Sequence, residues 1–178
     1  MNTADDSPDP TLDYAAVVRC AAELGARLLA LGIKLASVES CTGGLIAAAL
    51  TETGGSSTWF DRGWVTYSNE SKRELVGVQA QVLANFGAVS EQTAAQMAAG
   101  GLSRSEAGLA LAVTGIAGPG GGSPGKPVGT VCFGWAVRGG GVQTQTLCFP
   151  GDRTQVRLQT AQHALRRAMQ MISGARKA

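Results

Sequence analysis

Aromatic side chains are scarce, at 5% of 178 residues, so there is little on which a strand of bases could stack. Charge of one sign is also lacking. The formal net charge is +2, and no run of five or more Lys/Arg appears, which leaves no basic patch for nucleic acid. There is one histidine, His163, inside an expected helix, and the four cysteines, Cys20, Cys41, Cys132 and Cys148, are not in CxxC spacing. A zinc site is therefore not expected, and the thiols are expected to be free. No apolar run reaches the ~18 residues of a membrane-spanning helix. The first ten residues, MNTADDSPDP, read as neither a signal nor a transit peptide. These absences predict a cytoplasmic protein with no metal, no cofactor, no nucleic-acid partner and no membrane partner. Residues 1–11 are expected to fray, and 12–174 to make one domain.

What is present is apolar periodicity. Hydrophobic residues make up 44% of the chain, enough for a packed globule. Residues 12–31 carry helical spacing, with Leu24, Leu28 and Leu31 on one face and Gly32 as the stop. Short strands are predicted at 34–39 and 61–67, an apolar central strand at 108–114, and a hairpin of 128–137 with 142–149. Helices are predicted over 43–52, from Ser68-Asn69-Glu70 through Lys72, at 78–86, from a Ser90 cap to about 103, and from an Asp152 cap to about 172. This order predicts a three-layer α/β/α sandwich around a mixed, mostly parallel sheet with one antiparallel strand. Apolar faces on the Ala-rich helices suggest a homo-oligomer.

In open α/β sheets ligands bind beyond the carboxyl ends of the strands. There the chain carries Ser40, Tyr67 with Lys72 close behind, Thr114, and Arg153 at a helix start. In the stretch VESCTGG (38–44), Ser40 and Cys41 are rival nucleophiles. Alternation points them to opposite faces, and a free thiol is the better core residue. Ser40 needs a base. His163 is badly placed for that role, whereas Lys72 serves if burial leaves its amine neutral. Tyr67 is placed to relay a proton or fix Lys72. Thr42 fits an N-cap, and Gly43 and Gly44 would leave N–H groups open for an oxyanion or phosphate. Residues 120–127 nearly match a P-loop, but Pro127 stands where the magnesium-binding hydroxyl belongs and a strand follows. An NTPase is rejected on that ground, and 115–127 reads as a mobile substrate loop. The SxxK match at Ser123–Lys126 fails because Pro124 and Gly125 disfavour the helical turn it needs. The residues alone support an α/β protein with a polar cleft and a Ser–Lys hydrolase as its sharpest reading.

ASVESCTGG (36–44), GSSTWFDRGWVTYSNESK (55–72), GAVSEQTA (87–94), VTGIAGPGGGSPGKPVGTV (113–131) and FPGDR (149–153) together resemble the CinA C-terminal domain family in its stand-alone form. The resemblance covers about residues 13–172 and implies an α/β/α fold. It implies an amidohydrolase that converts nicotinamide mononucleotide (NMN) to nicotinic acid mononucleotide and ammonia. It further implies Ser40 as nucleophile, Lys72 as base and Tyr67 as proton donor, without metal. Thr42, Gly43, Gly44, Thr114, Gly115, Gly118 and Arg153 are then expected to surround the substrate. The rival expectation is a nucleotide- or partner-binding module that has lost turnover, tied to competence or a DNA-damage response.

Overall fold

A computed structural model describes residues 12–174. The tail expected over 1–11 lies outside the described residues. The chain runs α1 (Tyr14–Leu31), β1 (Leu35–Glu39), α2 (Leu45–Thr51), a 3-10 turn (Ser56–Thr58), β2 (Phe60–Val65), α3 (Asn69–Val76), α4 (Ala80–Phe86), α5 (Glu91–Ser103), β3 (Leu109–Gly115), β4 (Thr130–Val137), β5 (Val142–Cys148) and α6 (Arg153–Gly174). Local chemistry sets several boundaries. Asp13 caps α1 through the Ala16 N–H, and Gly32 ends it with φ 65. Ser68 and Ser90 cap α3 and α5, and Asp152 accepts from the Gln155 N–H at the start of α6.

The five strands form one sheet in the order β2-β1-β3-β4-β5. β1 pairs parallel with β2 and β3, whereas β4 pairs antiparallel with β3 and β5. Only β4 therefore runs against the others, as expected, but "mostly parallel" is corrected. The hairpin makes half of the pairings antiparallel, because β4 sits inside the sheet with a neighbour on each side.

Helices α1, α2 and α6 cover one face of the sheet, and α3, α4 and α5 the other. Strand alternation sorts the residues by size. Leu35, Leu109, Leu111, Val113, Val131, Phe133 and Trp135 face the α1/α6 core. The α5 face carries Ala36, Ala110, Ala112 and Ala136 instead. Gly134 completes it, where an added Cβ would stand 2.3 Å from the Ala94 carbonyl oxygen. The small residues let α5 lie close on the sheet, and its own Ala94, Ala98 and Gly101 are buried there. Ala49 of α2 and Ala161, Ala164 and Ala168 of α6 also turn inward. The apolar faces that suggested self-association are thus largely occupied by the sheet.

His163 is part of the packing. Its ring lies 4.8 Å from Phe133 between centroids, and its Nε2 is 2.9 Å from Gln145 Oε1. Burial and the charges of Arg167 and Arg166 hold its pKa below the ordinary value.

Candidate active site

Parallel register brings the ends of β1, β2 and β3 to one sheet edge: Glu39 pairs with both Val65 and Val113. β5 runs in the same direction as β3, so the chain leaving it reaches α6 at that edge too. β2 stops at Val65, two residues sooner than expected. Thr66 then donates its N–H to the Glu39 carbonyl at 2.7 Å and turns its own carbonyl toward α3.

That carbonyl receives Lys72. Its Nζ donates to Thr66 O at 2.7 Å and to Tyr67 O at 3.4 Å, and lies 3.1 Å from Ser40 Oγ. Lys72 is 1% exposed. Within ion-pair distance it has no carboxylate among the described residues. Burial without an acid partner lowers its pKa from the ordinary 10.5, which favours the neutral amine. Ser40 is 8% exposed. Cys41 faces the other way into the core, and burial pushes its thiol up to about 12. A thiolate, the reactive form, is thereby disfavoured.

Arg153 links two other candidates. Its Nη2 donates to the Tyr67 hydroxyl at 3.0 Å and its Nη1 to the Gly118 carbonyl at 2.9 Å. Thr114, 1% exposed, donates to the Ala88 carbonyl at 2.8 Å and so ties the β3 end to the loop before α5. Gly115 packs against Val131, and an added Cβ would stand 2.7 Å from its Cγ2. The glycine loop is held at its far end by Lys126, which donates to Val89 O at 2.6 Å and Phe86 O at 3.1 Å.

Two expectations about the Ser40 turn are corrected. Thr42 does not cap α2: the N-cap is Gly44, and Thr42 Oγ1 is buried without a hydrogen-bond partner. Nor do the glycine N–H groups stand open. Gly43 N–H is spent on Ser40 O at 3.0 Å. Gly44 N–H donates to Glu39, whose carboxylate also accepts from Ile46 and Ala47, at 3.0, 3.0 and 2.8 Å in that order. The helix start therefore carries its own anion. The amides of Cys41 and Thr42 remain, with no oxygen accepting from them among the described residues.

Glu39 and Arg157, which donates from Nη2 to Thr42 O at 2.6 Å, were both missed in the sequence. A lone acidic residue ending an apolar strand just before a helix start was the available signal for Glu39. For Arg157 it was the i,i+4 spacing from Arg153, which puts both on one helix face. No group of three or more His, Cys, Asp or Glu among the described residues is arranged to hold a metal, and no helix there is long and apolar enough to cross a membrane.

A buried amine thus stands beside a serine hydroxyl at the carboxyl edge of an α/β/α sheet. The comparisons narrow this. A family model described as "CinA C-terminal domain" matches residues 18–172, and the chain belongs to that family. It is 54% identical over 147 residues to nicotinamide-nucleotide amidohydrolase PncC of Enterobacter agglomerans, covering 83% of this chain and 90% of that protein. The protein of the same name from Escherichia coli is 47% identical, with 84% and 91% covered. A CinA-like protein of Mycolicibacterium gilvum is 53% identical over 81% of this chain, which spans only 35% of that longer protein. Among solved structures, the competence/damage inducible protein CihA of Agrobacterium tumefaciens superposes with a TM-score of 0.85 at 48% identity, covering 88% of this chain and 95% of that one.

Proposed function

We propose that this chain hydrolyses the carboxamide of NMN to nicotinic acid mononucleotide and ammonia, through a Ser40 acyl-enzyme formed with Lys72 as base. The single observation that carries the chemistry is the 3.1 Å approach of a buried, acid-free Lys72 amine to Ser40 Oγ. The substrate is suggested by relatives about half identical to this chain that bear the amidohydrolase name and that it spans almost fully.

The neutral amine donates to the Thr66 carbonyl, which leaves its lone pair for the Ser40 proton. Ser40 Oγ bonds to the carboxamide carbon, and the carbonyl electrons move onto oxygen. The Cys41 and Thr42 amides are the donors available for that oxyanion, each worth ~3 kcal/mol in comparable sites. Collapse of the adduct breaks the C–N bond. Tyr67, whose hydroxyl accepts from Arg153, gives its hydrogen to the leaving nitrogen and regains one from the Lys72 ammonium through solvent, so ammonia departs and both side chains are neutral again. Lys72 then activates water, which hydrolyses the ester and restores Ser40. Arg153 and the Gly118 loop it holds would bind the nucleotide, and Thr114 would fix the β3 end behind them. The reaction would take place in the cytoplasm.

Product analysis with NMN, nicotinamide and NAD in parallel tests the proposal. Ammonia and nicotinic acid mononucleotide are expected from NMN. Ser40→Ala should release none, and Lys72→Arg should fail because a guanidinium does not become a neutral base. Undiminished ammonia release by Ser40→Ala sinks the scheme.

A further inference from the structure

Arg157 is not among the residues that surround the expected reaction, yet it ends on the nucleophile's turn. Its Nη2 donates to the Thr42 carbonyl at 2.6 Å, a short, charge-assisted bond. The same peptide unit presents the Gly43 N–H, which donates to the Ser40 carbonyl at 3.0 Å. The Ser40–Cys41 peptide in turn presents the Cys41 N–H, from which no oxygen accepts among the described residues. The result is one chain: guanidinium, Thr42–Gly43 peptide, Ser40–Cys41 peptide, open N–H. Each carbonyl that accepts a bond polarises its own peptide and makes the N–H at the other end a stronger donor.

No acid among the described residues pairs directly with the charge at the head of this chain. Among the described residues no carboxylate lies within ion-pair distance of Arg157, and its Nε is buried without a hydrogen-bond partner. The open N–H at the tail belongs to the residue after the nucleophile, where backbone donors for an oxyanion sit in serine hydrolases of other folds. We infer that Arg157 is a positioning residue. It holds the Ser40–Gly43 turn through the Thr42 carbonyl and strengthens the Cys41 N–H that receives the oxyanion, without touching the substrate.

This rests on Ser40 being the nucleophile of NMN hydrolysis, so the wild type and Ser40→Ala are assayed alongside. Three variants separate the roles. Arg157→Met removes both charge and donor. Arg157→Gln keeps an N–H for the Thr42 carbonyl but removes the charge. Arg157→Lys keeps the charge. Since polarisation acts on a donor that itself supports about a hundredfold in rate, kcat should fall roughly tenfold in Met and Gln, with KM within about twofold of wild type. Lys should recover most of the loss. If Arg157→Met does not fold, the contrast of Gln with Lys decides. A rise in KM at unchanged kcat overturns the inference and makes Arg157 a nucleotide-binding group. A Gln variant equal to wild type also overturns it, since the hydrogen bond without charge would then suffice. A wild type inert toward NMN, or an active Ser40→Ala, removes the amidohydrolase scheme itself. An active wild type with unaffected Arg157 variants removes only this role.

Discussion

Removing the Glu39 carboxylate should loosen the protein at the point where β1 meets α2. Glu39 is 1% exposed, and its two oxygens accept from three backbone N–H groups: Oε2 from Gly44 and Ile46, Oε1 from Ala47. Hydrogen bonds to a charged acceptor contribute about 1.5–3 kcal/mol each, and loss of a helix N-cap about 0.5–2 kcal/mol. In Glu39→Ala only the Ile46 N–H is fully buried, whereas water reaches the other two in part. A destabilisation of about 3 kcal/mol is therefore expected, below the sum of three full bonds. For a chain of this size that corresponds to a fall in Tm of about 6–12 °C. With a urea m-value near 2 kcal/mol/M, it also lowers the unfolding midpoint by about 1.5 M. Glu39→Gln isolates the charge and geometry. Its single amide oxygen serves Gly44 and Ile46, or else Ala47, and its NH2 must then oppose a remaining N–H. A loss of about 1–2 kcal/mol is expected, between wild type and Ala. Urea titrations followed by circular dichroism give the order directly. A Glu39→Ala protein with the wild-type midpoint and m-value would refute the capping argument.

Other consequences can be measured on the same protein. Burial lowers the Lys72 pKa, so under the proposed scheme, with the neutral amine as base, kcat/KM should climb with pH and level off below the ordinary 10.5. A limb centred at or above that value would contradict a desolvated base. The same shift links to stability. Between the lowered folded pKa and 10.5 the unfolded chain binds more protons, so stability should rise with pH across that window and stay fully penalised below it. Lys72→Met should flatten the rise, and an unchanged slope in that variant counts against Lys72 as its source. With Cys41 buried and its thiol pushed up to about 12, iodoacetamide near pH 8 should label the exposed Cys148 first and leave NMN turnover intact. Loss of turnover in step with native-state labelling of Cys41 would reverse the choice of nucleophile. An added Cβ at Gly100 would stand 1.8 Å from the Val76 carbonyl oxygen, so Gly100→Ala should cost about 1–3 kcal/mol despite its better helix propensity. A Tm at or above wild type would show that α3 and α5 can separate without penalty.

Much of the architecture was legible because its determinants are local. Gly32, Ser68, Ser90 and Asp152 each stop or start a helix through groups within about one turn. Alternation separated Ser40, beside Lys72, from Cys41 in the core, and the hairpin of β4 and β5 followed from two β-rich runs around glycines. The boundaries that slipped, such as β2 ending at Val65, lie where tertiary contacts override propensity: the Thr66 N–H makes the last ladder bond, to the Glu39 carbonyl, and the Thr66 and Tyr67 carbonyls then accept from Lys72 instead of a strand.

By itself the sequence determined most of the helices and strands, the place of Ser40 after a strand end, and the residue types available to meet it. Which of them meet was decided only by the tertiary structure. Lys72 reaches Ser40 across 32 residues, Arg153 reaches Tyr67 across 86, and Arg157 reaches Thr42 across 115. No local period encodes such contacts; they follow from strand order and from α6 returning across the sheet. Burial is likewise a property of the assembled core. It lowers the pKa of Lys72 and raises that of Cys41, and it lets Glu39, not a ligand, occupy the N-terminus of α2.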